Sequence, residues 1–248
     1  AGADIAQAYG EMFRGVFGSL FAFSEMLTRA TPLIFTGLAA ALAFRARLWN
    51  IGAEGQLLMG GLAAVVAGFS LDFLPMVLHL PLALLVGALV GAFYAAIAGF
   101  LKATTGAHEV ISTIMLNLIS FRLLDWFLRQ PFIQREGRSD PISKDVPPSA
   151  ELPRILDFID VNLRLHAGIF VMLAAVALVY WMLFRSKIGF AFRASGENPD
   201  AANYAGMKAA FIIVLAMGTA GALAGLAGAT QVQGVLGRAS PGFSAGIG

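Results

Sequence analysis

Residues 166–184, HAGIFVMLAAVALVYWMLF, run for nineteen positions without an acid, lysine or arginine. Crossing the hydrocarbon layer of a bilayer takes about 20 predominantly apolar residues, so this run specifies a transmembrane helix. Comparable windows lie at 31–48, 55–74, 76–101, 110–128 and 209–236, which makes six. Inside lipid every backbone polar group must be satisfied internally, which leaves only helices and closed barrels. Barrel strands alternate apolar and polar residues over short segments, whereas these runs are continuous. The chain therefore reads as an all-α, polytopic transmembrane helical bundle. Composition agrees, since 58% hydrophobic residues against 13% charged ones lies outside the range of soluble domains.

The segments between these windows set the topology. Residues 131–165 hold five prolines and both signs of charge and cannot span. The other long polar insert, 185–208, carries four basic and two acidic residues, against five basic and six acidic in 131–165. Excess Lys and Arg mark cytoplasmic loops, so 185–208 is expected in the cytoplasm and 131–165 outside. Residues 12–28, with Arg14 and Glu25, read as an amphipathic segment lying in the interface. Both ends of the sequence read as cuts within a longer protein, of which residues 1–248 form a single transmembrane domain. The net charge of +2 gives no reason to expect nucleic acid, and the absence of cysteine excludes disulfides and thiolate chemistry.

Three polar motifs interrupt the apolar pattern. In GENPDAANYAG, 196–206, Asn198 suits an N-cap, Pro199 the first helical position, and Gly206 a C-terminal stop. That predicts a helix of about two turns with Tyr204 as its aromatic knob, too short to stand alone and so expected to dock. In GAHEVISTIMLNLIS, 106–120, the position four residues after His108 is Ser112, so no HExxH zinc site exists. Glu109, Thr113 and Asn117 recur every four residues and share one helix face. Thr113 and Asn117 suit interhelical hydrogen bonds or ligand contacts, and Glu109 either caps the helix or faces water.

The third motif is AFRARLWNIGAEGQLLMG, 43–60, where Asn50, Glu54 and Gln56 stand between two apolar runs. Gly52 and Gly55 can bend or break a helix, and broken helices at membrane depth are tolerated where they line a cavity. Glu54 fits equally a capping carboxylate in a cytoplasmic hairpin and a functional acid in such a break. Along 218–229, Gly218, Gly221, Gly225 and Gly228 predict a closely packed helix face. His79 and His166, at helix starts, are expected at the interface. No GxxxxGK[ST] sequence occurs, so no P-loop for ATP is present.

Together PLIFTGLAAALAFRARLWNIGAEGQLLMGG, GAHEVISTIMLNLIS and SKIGFAFRASGENPDAANYAGM resemble the permease subunits of bacterial ABC importers for nucleosides and simple sugars, the ribose-type branch. The resemblance extends from about Thr31 to Gly246. It implies a multi-pass protein of the bacterial inner (plasma) membrane that is a transport subunit and not an enzyme. The expected partners are two ATPase subunits that bind ATP and Mg, a second permease that is a paralogue, and an extracytoplasmic substrate-binding protein docking near 131–165. This chain itself would hold no cofactor and no metal. Arg193, Gly196, Asn198, Pro199, Ala202, Tyr204 and Gly206 would form the short cytoplasmic coupling helix and its base. Asn50, Glu54, Gln56, Glu109, Ser112, Thr113 and Asn117 would line the translocation pathway.

The alternative is a secondary transporter of a small polar solute, with Glu54 or Glu109 as proton sites. A membrane-embedded enzyme would need a nucleophile with a base or a metal cluster, and three scattered histidines supply neither.

Overall fold

A computed structural model describes residues 5–248. Among them there is no β-strand, only two isolated bridges within the polar segments. The elements are α1 (Ile5–Phe17), α2 (Leu20–Arg45), α3 (Ala53–Ser70), α4 (Met76–Thr105), α5 (Glu109–Leu128), α6 (Gly168–Arg185), α7 (Lys187–Glu197), α8 (Pro199–Tyr204) and α9 (Ala209–Gln231). A π-helical turn, Val232–Leu236, extends α9. Six helices are long and apolar enough to cross a membrane, namely α2 to α6 and α9 with its extension.

The helix α9 is the centre of the bundle and packs most extensively on α4, then on α3 and α2. Glycine makes this approach possible. A Cβ on Gly225 would meet the carbonyl oxygen of Gly87, and one on Gly228 the carbonyl of Leu57. Gly221 likewise lies against Gly91 and Ala95, whereas Gly218 has nothing nearer than 3.6 Å. Three of the four glycines therefore bring backbones together, the arrangement by which helices associate when lipid removes the hydrophobic drive between them.

Residues 12–28 do not form one interfacial segment. The break comes at Gly18–Ser19, where the Ser19 hydroxyl caps α2 by accepting from the Ala22 amide at 3.1 Å. Every described residue of α1 that precedes the break is solvent-facing or half-buried, and the stretch from Leu20 onward belongs to the long helix α2. Ser24, Thr28 and Thr31 are buried there because each hydroxyl bonds a carbonyl three or four residues back, at 2.8–2.9 Å. Hydroxyls that return to their own helix cost little in a bundle, and hydropathy alone does not register this.

The histidines also depart from expectation, since both are buried and not interfacial. His79 Nδ1 pairs with Ser149 Oγ at 2.9 Å, and His166 Nδ1 accepts from the Gly168 amide at 3.2 Å. What buries them is the polar segment 131–165, which folds back over the helix ends. Ile133, Val146, Ala150, Leu152, Leu163 and Leu165 are its buried hydrophobic residues. The Leu152 amide donates to the Gln233 carbonyl at 2.9 Å, tying this cover to the π-helical turn.

Candidate functional site

At the face opposite this cover, α6 turns sharply into α7, a helix within the polar insert 185–208. Ser186 caps α7, its hydroxyl accepting from the Gly189 amide at 3.1 Å. Arg193 donates to the Leu183 carbonyl and lies 5.9 Å from the centre of the Phe184 ring, which pins α7 to the end of α6. Gly196 sits on the Ala46 carbonyl, too close for any side chain. Then Asn198 caps α8, with Oδ1 accepting from the Ala201 amide at 3.0 Å, and Pro199 opens it. Gly206 closes the unit with φ of +82°, a left-handed conformation that favours glycine. Ala202 is buried while Tyr204, at 98% exposure, projects free. Asn203 joins the unit to α9 by accepting from the Ala209 amide at 3.0 Å, a contact no sequence pattern announces.

After a turn at Ala46–Arg47 the chain does not leave the bundle. From Leu48 it runs along α5 into the first turn of α3: the Trp49 amide reaches Glu109 Oε1 at 3.4 Å, the Ile51 amide Thr113 Oγ1 at 3.3 Å, and the Gly55 amide Asn117 Oδ1 at 2.8 Å. Asn117 lies eight residues beyond Glu109, so α3 begins about 12 Å along α5. This is a helix that starts inside the bundle. Glu109, Thr113 and Asn117, at their four-residue spacing, all face the same link. Asn50 and Gln56 close on each other through two side-chain bonds of 3.0 and 2.8 Å, and Asn50 Oδ1 also accepts from the Gly52 amide. Glu109, 5% exposed, is neutralised by Lys102 at 2.6 Å.

Ser112 stands apart, its hydroxyl returned to the His108 carbonyl at 3.3 Å. Glu54 is also separate from the network and makes no side-chain bond to the first turn of α3. Its carboxylate accepts instead from the Ser244 hydroxyl and, at 2.9 Å, from the Gly248 amide. Residues 237–248 reach it from the opposite face. Ala239 exchanges hydrogen bonds with Ser143 in the cover, Phe243 lies against Gly61, and the Ile247 carbonyl accepts from Thr36 at 2.9 Å. Glu54 is thus the point where two non-helical segments, entering the bundle from opposite ends, meet. Nothing in the sequence marks Ser244 for this role, because it lies 190 positions away.

Among the described residues, no group of three or more His, Cys, Asp and Glu could hold a metal ion.

Residues 22–248 match the family described as branched-chain amino acid transport system / permease component. The guanosine ABC transporter permease protein NupP of Bacillus subtilis (strain 168) is 38% identical over 231 residues, covering 93% of this chain and 65% of the relative. The glucose ABC transporter permease protein TsgB13 of Haloferax volcanii is 36% identical over 252 residues, covering 99% of this chain and 66% of the relative. The nucleoside ABC transporter permease protein NupB of Lactococcus lactis subsp. cremoris is 33% identical over 223 residues, covering 89% and 61%. The chain spans just under two thirds of the length of these relatives. No solved structure matches it at a significant level. With six spans and a match over nearly its whole length, the chain belongs to the permease-component family of branched-chain amino acid transport systems.

Proposed function

We propose that the chain is the membrane-spanning core of a permease in an ATP-driven importer of nucleosides or simple sugars, seated in the plasma membrane. The observation that carries this is the unit α7–α8. It presents one fully exposed aromatic residue, Tyr204, on a base fixed to α6 by Arg193, to the end of α2 by Gly196 and to α9 by Asn203. A free aromatic knob on a rigid mount suits docking into a cleft of an ATPase subunit, where ATP and Mg would be bound. The relatives, named for guanosine, glucose and nucleoside transport, support the class of solute.

In this reading the α8 face is cytoplasmic and the cover 131–165 lies outside, available to a binding protein. The second permease is a paralogue, as expected from two distinct permeases, NupB and NupC, in Lactococcus lactis. Movement of α8 reaches the bundle through Gly196, which rests on Ala46, the C-cap residue of α2 before the link to α3. The link in turn holds the inner start of α3 and Glu54. Rocking of α7–α8 would shift the link against α5, exchange the bonds of Asn50, Gln56, Thr113 and Asn117, and release Glu54 from Ser244. Alternating access follows: the pathway opens outward when the ATPases close and inward when hydrolysis separates them. Asn50, Glu54, Gln56, Glu109, Ser112, Thr113 and Asn117 are the proposed lining, with Lys102 and Ser244 added by their contacts.

The test is Tyr204→Asp in the assembled transporter. A charge at the knob is expected to abolish uptake and co-purification of the ATPase while the permease still inserts. Normal uptake with a bound ATPase would overturn the coupling assignment. Uptake that survives without ATPase and collapses with the proton gradient would instead establish an ion-coupled carrier.

A further inference from the structure

The polar residues singled out from the sequence have their hydrogen-bonding capacity largely used within the bundle. Asn50 faces Gln56, Asn117 faces Gly55 and Ile51, and Glu109 faces Lys102. A different group does not. Between α2, the end of α9 and residues 245–247 lies a cleft of about 420 Å³ bordered by Glu25, Thr28, Arg29, Arg164 and Gln231. Glu25 Oε1 is covered from solvent and accepts no hydrogen bond. The guanidinium groups of Arg29 and Arg164 each stand 3.9 Å from this carboxylate, close enough for attraction but too far for a hydrogen bond. Among the described residues, neither guanidinium nor the Gln231 carboxamide has another side-chain partner.

A carboxylate within a spanning helix is costly unless it faces water, a partner or a ligand. Here two cations offset the charge, but the directional bonds remain unmade. One acceptor group, two guanidinium forks and a carboxamide around a space of this size suit a small neutral solute rich in hydroxyls. Its hydroxyl hydrogens can bond the carboxylate while its ring and carbonyl oxygens accept from the arginines and the amide. The floor of the cleft also matters. Ile247 lines it, and the next residue, Gly248, donates to Glu54.

We propose that this cleft is the site at which the solute first engages the permease on the loop side. It rests there on the re-entrant segment 237–248, with Glu25 and Arg29 as binding residues and the Glu54 contact closing the path below. The inference rests on the transporter reading above and adds a place and a chemistry to it. It also gives a role to Glu25 Oε1, which is covered from solvent without a hydrogen bond.

The chain has no cysteine, so single cysteines report cleanly. In vesicles holding the complete transporter, Gln231→Cys is expected to react with a charged, membrane-impermeant thiol reagent, and guanosine or glucose should slow that reaction about tenfold. Leu89→Cys, on the apolar outer face of α4, should not react. Glu25→Gln should lower ATP-driven uptake at least about tenfold with abundance unchanged. Modification of Gln231→Cys at one rate with and without either solute, in a transporter whose wild-type uptake remains ATP-driven, overturns the cleft and leaves the transporter reading standing. Slowing by anionic phospholipid but by neither solute makes the cleft a headgroup site and overturns the proposal. Uptake within about twofold of wild type for Glu25→Gln does the same.

Discussion

The side chain of Asn117 caps a helix to which it does not belong. From α5 its Oδ1 accepts from the Gly55 amide in the first turn of α3 at 2.8 Å, while its Nδ2 donates to the Ile51 carbonyl at 2.7 Å. The first amides of a helix have no partner within it. Gly52, at the N-cap position of α3, has no side chain to offer. A helix that begins inside a bundle must therefore borrow its cap, and Asn117 supplies acceptor and donor together.

Asn117→Leu is expected to cost about 1–2 kcal/mol, the scale of a lost cap with the Ile51 carbonyl also left bare. Thermal unfolding of the purified permease measures it. Asn117→Asp retains the acceptor for Gly55 and should lose less than Asn117→Leu; an equal or larger loss would show that the cap is not the interaction that matters.

Gly225→Leu should prevent the normal approach of α9 to α4 and α3, because the new side chain would occupy the place of the Gly87 carbonyl. Overpacking of this kind costs about 1–3 kcal/mol or more where backbone is the obstacle. Low yield and aggregation on size exclusion are the expected signs. Gly218→Ala, with 3.6 Å to the nearest atom, should behave as wild type.

Glu54→Gln and Ser244→Ala should each reduce uptake without lowering abundance. The carboxylate accepts from two donors, the Ser244 hydroxyl and the Gly248 amide, and a carboxamide offers only one oxygen. Because both changes disrupt one contact, the double variant should be little worse than the more impaired single variant. Additive losses would show that Glu54 acts independently of Ser244. Parallel loss of abundance and uptake would assign the contact to folding alone.

The cover should loosen on acidification. Burial pushes His166 down to about 4 from its ordinary 6.5, and its unpartnered Nε2 lies against Gly234. Protonation is easier in the open chain than in the folded one, so the packing is fully stable above about pH 6.5, weakens as pH falls from there toward 4, and loses nothing further below. The unfolding midpoint should therefore drop between about pH 7 and pH 4.5, and His166→Asn should show a smaller drop. Equal drops would exclude His166 as the source.

Elements governed by local chemistry could be read directly. Asn198, Pro199 and Gly206 delimit α8 because cap, ring and positive φ act within a few residues. The glycines of α9 announced close packing for the same reason, and the four-residue spacing of Glu109, Thr113 and Asn117 placed them on one face. The beginning of α2 is not legible in this way, because Glu25 and Arg14 fall in one window. A hydropathy average does not distinguish a charge that lies in water from one held between two arginines.

By itself the sequence determined which six segments are long and apolar enough to cross a membrane among the described residues, and where the helix α8 begins and ends. Each follows from lipid excluding unsatisfied backbone or from bonds between near neighbours. Only the tertiary structure decided what the polar residues touch. Asn117 caps α3 from α5, Lys102 neutralises Glu109, and Ser244 reaches Glu54 across 190 positions. An even choice for Glu54 between a cap and a functional acid could not be resolved by spacing. The bundle resolves its contacts by bringing a second chain segment to the carboxylate, and hydrogen bonds act over ångströms whatever the separation in sequence.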